Sequence, residues 1–101
     1  MVTSSAVELE NLRAEIDRCD EKIHNLVARR TEVAREIGRL KRTLGRPTLD
    51  QSREAEVLAL TVGRAQRLGL NPELLLRLQQ DLMALARSAQ EAVLEETDAT
   101  T

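Results

Sequence analysis

The chain has 101 residues, with 15 lysines and arginines against 17 aspartates and glutamates, 42% hydrophobic residues and no phenylalanine, tryptophan or tyrosine. A chain this short buries only about two-thirds of its unfolded surface, and without aromatic side chains to fill a core the expectation is one domain, 1–101, that folds as an oligomer. The net charge of −2 argues against nucleic acid or an anionic membrane as partner, because both select a concentrated basic surface.

Four glycines and two prolines fall where helices are punctuated rather than where strands turn. The expected fold class is therefore all-α, with three helices at about 5–44, 50–68 and 72–96. The first starts at a serine cap, Ser4 or Ser5, and stops before Gly45 and Pro47. At roughly 40 residues it is about 60 Å long. The second opens near Asp50 and ends near Leu68, with Gly69 just past its end. The third has Asn71 as N-cap, Pro72 in the first helical position and Glu73 in the first turn. The polar tail Thr97 to Thr101 is expected to fray.

The first helix carries the strongest pattern. Leu12, Ile16, Cys19, Ile23, Leu26, Val33, Ile37, Leu40 and Leu44 recur with 4-3 spacing, interrupted only by Arg30. A seam sustained over this many heptads needs a long partner. The two shorter helices cannot cover it in one chain, so an antiparallel, two-fold pairing of helix one is expected.

Arg30 in that seam keeps its proton and is costly to bury unless an anion meets it. A structural ion pair or a register-setting polar contact is the alternative. Arg13 and Lys41 occupy equivalent heptad positions, yet 28 residues separate them, about 42 Å on one helix. In an antiparallel pair with its two-fold near His24, Arg13 of one chain falls opposite residue 35 of the other, between Arg30 and Lys41. Three cations along one groove suit a small dianion. In helix two the stripe Val57, Leu58, Thr61, Ala65 and Leu68 extends back to Glu54, beside Arg53. In helix three the stripe Leu75, Leu78, Leu82, Ala86, Ala89 and Val93 has Gln90 next to it. Glu54 and Gln90 are candidate hydrogen-bond partners for the ligand; the alternative for each is a snorkelling surface side chain.

Cys19 is the only cysteine and His24 the only histidine, so an intrachain disulfide is excluded and zinc would have to rely on carboxylates. Cys19 reads as a small seam hydrophobe and His24 as a polar residue near the two-fold. No metal or other cofactor is expected. Met1 to Glu10 has neither a basic n-region nor an apolar run, and no stretch approaches the roughly 18 apolar residues of a spanning helix; the expected location is cytoplasmic.

Taken in order, LRAEIDRCDEKI around Arg13, ARRTEVAREIGRLK with Arg30 and Lys41, RPTLDQSRE with Asp50, Arg53 and Glu54, and Gln90 near the end resemble the all-α chorismate mutases of the AroQ type. The resemblance runs from about Leu9 to Val93. It implies an intertwined homodimer with two identical sites, a place in the shikimate pathway and aromatic amino acid synthesis, and the conversion of chorismate to prephenate without a cofactor. By residue-wise carry-over it implies that Arg13 is donated across the dimer to the carboxylate of the enolpyruvyl arm. Arg30 would hold the ring carboxylate, and Lys41 a carboxylate and the ether oxygen. Gln90 would be the second donor to that oxygen, and Glu54, with backbone near Asp50 and Arg53, would receive the ring hydroxyl. Ala86 departs from the pattern, since many relatives place a serine there, and a hydrogen bond to a charged group is worth about 1.5–3 kcal/mol. The 4-amino-4-deoxy analogue of chorismate and isochorismate are alternative substrates. A helical dimerisation module without a site is the non-enzymatic alternative. No dehydratase, dehydrogenase or amino-acid-sensing domain is expected after Glu96.

Overall fold

The computed structural model describes the backbone of residues 3–99 and the side chains of residues 3–95. Three helices follow in order: α1 (Ser4–Leu44), α2 (Gln51–Leu68) and α3 (Pro72–Ala99). The first cap differs from expectation. Thr3, with extended backbone (φ −73°, ψ 156°), accepts from the backbone N–H of Ala6 at 3.1 Å, and neither Ser4 nor Ser5 is the cap. Thr3, Ser4 and Ser5 are chemically interchangeable caps, and using the first adds helical residues at no loss of capping. At the other end α3 runs past Glu96 to Ala99, because no glycine or proline interrupts 91–99. The tail expected to fray is thus helical over 97–99, and Thr100 and Thr101 lie outside the described residues.

The interior punctuation is as the sequence predicts. Gly45 has φ 68°, and the bonds Gly45 N–H to Arg42 O (3.1 Å) and Arg46 N–H to Lys41 O (2.7 Å) form a Schellman closure that a Cβ-bearing residue would strain. Asp50 caps α2 by accepting from Arg53 N–H at 3.0 Å. Asn71 caps α3 by accepting from Leu74 N–H at 3.1 Å.

Among the described residues α3 packs on both α1 and α2, which do not pack on each other. The molecule is consequently a slab one helix thick, 66 × 33 × 14 Å, with a radius of gyration of 18.8 Å where a compact chain of this length has about 13 Å. Its surface of 8005 Å² exceeds the roughly 5,700 Å² that area scaling assigns to a compact 11.3 kDa protein. The buried apolar residues are small or slender: Ala34, Ala65, Met83, Ala89 and Val93.

The face of α1 that α3 covers is centred on Ala34 and Gly38, one position round from the 4-3 seam. Leu12, Ile16, Ile23, Leu26, Ile37, Leu40 and Leu44 of that seam stay exposed, Leu26 by 68%. Gly38 fixes the contact, since a Cβ there would stand 3.1 Å from both Cα and Cγ of Gln90. The shorter stripes also turn slightly. Leu68 and Leu78 are exposed, while Met83 and Gln90 join Thr61, Ala65, Ala89 and Val93 in the buried set.

Candidate active site

A cavity of about 430 Å³ opens between the C-terminal half of α1, the start of α2 and the second half of α3. Arg30, Lys41, Asp50, Arg53, Glu54, Ala86 and Gln90, seven of the residues singled out in the sequence, line it. Arg13 does not. It lies 17 residues before Arg30, about 26 Å along α1, on an exposed surface where it pairs with Glu10 at 2.9 Å.

Each element holds its polar group for a local reason. Arg30 is half-buried, and its Nη1 donates to the carbonyl of Leu82 on α3 at 2.8 Å, which fixes one side of the guanidinium and leaves other N–H donors for an anion. Lys41 sits in the last turn of α1, and the Schellman closure at Gly45 folds the chain back so that the Thr48 carbonyl accepts from Lys41 Nζ at 2.7 Å. The same ammonium donates to Gln90 Oε1 at 3.1 Å. Of its three N–H donors, two are thereby engaged and one is left for a ligand. Because Gln90 is 7% exposed and its oxygen is occupied by Lys41, its amide N–H donors are the part that a ligand can use.

The start of α2 forms the opposite wall. Asp50 is committed to its cap. Arg53 contributes its stem, while its Nη1 turns to Glu56 at 2.6 Å. Glu54, in the first turn of α2, points across to α3 and accepts from Arg87 Nη1 at 2.7 Å. Val33, Ala34, Ile37, Val57 and Met83 complete the lining. The charged lining is four cations against two carboxylates, an excess of two positive charges.

Two participants were not legible as candidates. Arg87 lies three residues before Gln90, the spacing that puts two side chains on one helical face, yet a lone arginine beside an apolar stripe reads equally well as solvated. Thr48 acts through a backbone carbonyl, which no side-chain pattern reveals. Among the described residues no group of three or more His, Cys, Asp or Glu side chains is placed to hold a metal ion, and no helix is long and apolar enough to cross a membrane.

Fold and cavity together define an all-helical protein with a pocket rich in cationic side chains. Comparison with known proteins gives the family: the profile described as chorismate mutase type II matches residues 12–91, and the chain belongs to that family. It is 38% identical over 68 residues, 67% of its own length, to the T-protein of Enterobacter agglomerans, covering 18% of that protein. To the intracellular chorismate mutase of Mycobacterium bovis it is 45% identical over 51 residues, half of its length and 49% of the relative. A 3-dehydroquinate dehydratase of Pyrobaculum aerophilum is 42% identical over 57 residues, 56% of this chain and 19% of that protein. The matched stretch thus spans half or less of each of these relatives.

Proposed function

We propose that this protein is a chorismate mutase, working as a homodimer whose sites each take Arg13 from the second copy. The observation that carries the reading is Lys41 joined to the buried Gln90 at 3.1 Å on a wall of the cavity that Arg30 also lines. The reaction breaks the carbon–oxygen bond of the enolpyruvyl ether and forms a carbon–carbon bond to the ring within one molecule, so it needs no general acid, base or nucleophile. It needs the flexible arm held over the ring, and charge stabilised on the ether oxygen as its bond to the ring lengthens.

In this reading Arg30 and Arg13 grip the two carboxylates, which supplies the orientation. Lys41 and Gln90 donate to the ether oxygen and bind it more tightly as its charge grows, which lowers the barrier rather than the ground state. Glu54 accepts from the ring hydroxyl, and Asp50 and Arg53 frame it through the first turn of α2. Ala86 leaves its side of the ring carboxylate to water or to apolar contact. The dimer is supported by the exposed seam of α1 and by a surface excess of roughly 2,300 Å² over a compact monomer, within the range of obligate interfaces. A cytoplasmic setting and a role in aromatic amino acid synthesis go with this reading.

The test is loss of chorismate ultraviolet absorbance with product identification by chromatography, using Arg30→Ala as control. Prephenate from the unaltered chain and none from the control is the expected outcome. A folded dimer that turns over neither chorismate, its 4-amino analogue nor isochorismate would leave the dimerisation module as the better account.

A further inference from the structure

The cavity contains one contact that the proposed chemistry does not use. Glu54 Oε2 and Arg87 Nη1 are 2.7 Å apart across the gap between α2 and α3, with side chains 29% and 37% exposed. The buried residues of α2, Thr61 and Ala65, lie further along the helix.

Resting on the mutase reading, we propose that Arg87 is the specificity determinant that makes this pocket select a ring hydroxyl over a ring ammonium. A carboxylate alone on the wall would favour the ammonium of a 4-amino substrate, because in a half-buried site two opposite charges attract more strongly than a carboxylate and a neutral hydroxyl donor. Arg87 reverses that preference. Any cation seated on Glu54 lies within a few ångströms of the guanidinium, and partial burial limits solvent screening. The first turn of α2 acts in the same direction: Glu54 stands at the positive end of the helix dipole, which disfavours a second cation there. A neutral hydroxyl meets no such repulsion, and Oε1 of Glu54 remains free of Arg87 to accept from it. The overall charge agrees, since Arg87 is one of the four lining cations that give this chain's share of the pocket its excess of two positive charges. A chorismate-like dianion matches that excess; its 4-amino analogue, carrying an ammonium, has a net charge of only −1.

The experiment measures kcat/KM for chorismate and for 4-amino-4-deoxychorismate on the full chain, unaltered and with Arg87→Met, Arg87→Gln and Arg87→Lys. The ratio of the two values is the readout, because a partly unfolded preparation lowers both equally. The unaltered chain should prefer chorismate, Arg87→Met and Arg87→Gln should shift the ratio toward the amino substrate by roughly tenfold or more, and Arg87→Lys should retain most of the preference. A ratio that stays within about twofold in both neutral variants, beside normal chorismate turnover, overturns this proposal and leaves the mutase reading intact. An unaltered chain that prefers the amino substrate also overturns it. No turnover of either substrate by the unaltered chain overturns the mutase reading and this proposal together.

Discussion

Lys41, in the last turn of α1, and Gln90, far along α3, are 49 residues apart in sequence and meet with Nζ 3.1 Å from Oε1. The lysine holds the amide by its oxygen, so the neutral, donating end of Gln90 is available to a ligand. Gln90 gains and loses no proton, and an activity that depends on it should persist from pH 6 to pH 8. We expect kcat to vary little across that range, while Gln90→Ala lowers it by about 10²–10³-fold, as for the loss of one preorganised donor to a developing oxyanion. Gln90→Glu should make kcat rise as pH falls, because only the protonated carboxyl can donate. Stopped-assay pH profiles of the three proteins check this, and a steep loss for the unaltered chain between pH 6 and 8 would refute the role.

Gly38 lets the backbone of α3 reach α1 at Gln90. In Gly38→Ala the new methyl meets Gln90 Cα, Cβ and Cγ at 3.1 to 3.2 Å, and two rigid helices must part. We expect a stability loss of about 1–3 kcal/mol from overpacking, set against about 1 kcal/mol gained in helix propensity, with kcat falling because Gln90 moves. Gly63, with nothing within 4 Å of its would-be Cβ, is the matched control. Gly63→Ala should raise stability by about 0.5–1 kcal/mol with activity unchanged. Urea denaturation and kinetics of both variants are the measurement.

Arg30 donates to a helix carbonyl at Leu82 and lines the cavity. If its purpose is to meet an anion, Arg30→Leu should keep circular dichroism and thermal stability near those of the parent and lower kcat/KM for chorismate at least 100-fold, about 2.7 kcal/mol of transition-state binding. A variant equally active, or one that gains stability in a chain without any mutase activity, would mark Arg30 as an ion of the seam alone.

The exposed seam makes a prediction about mass. Sedimentation should give twice the chain mass of 11.3 kDa, and the melting temperature should rise with protein concentration, as it does when folding and association are coupled. Leu26→Asp, at a position 68% exposed in the single chain, should abolish both effects and lower the melting temperature. A monomer with concentration-independent melting would contradict the dimer.

Secondary structure was readable from the sequence because its causes are local. Gly45, Asp50, Gly69, Asn71 and Pro72 each act on the turn beside them, and α1, α2 and α3 end within a few residues of the expected places. Arg30 and Lys41 of the pocket were readable too, since they break or flank an apolar period and a charge in such a place needs an anion. The tertiary structure alone decided which face of α1 is covered by α3. Ala34 and Gly38 win that contact over the larger seam residues because two backbones close most tightly over small side chains, a non-local choice with no signature in period or propensity. It likewise decided that Thr48 serves Lys41 through its carbonyl, a group every residue carries, and that Glu54 meets Arg87. Those two side chains are 33 positions apart, and only the packing of α2 on α3 turns a pair of ordinary surface charges into one wall of a site.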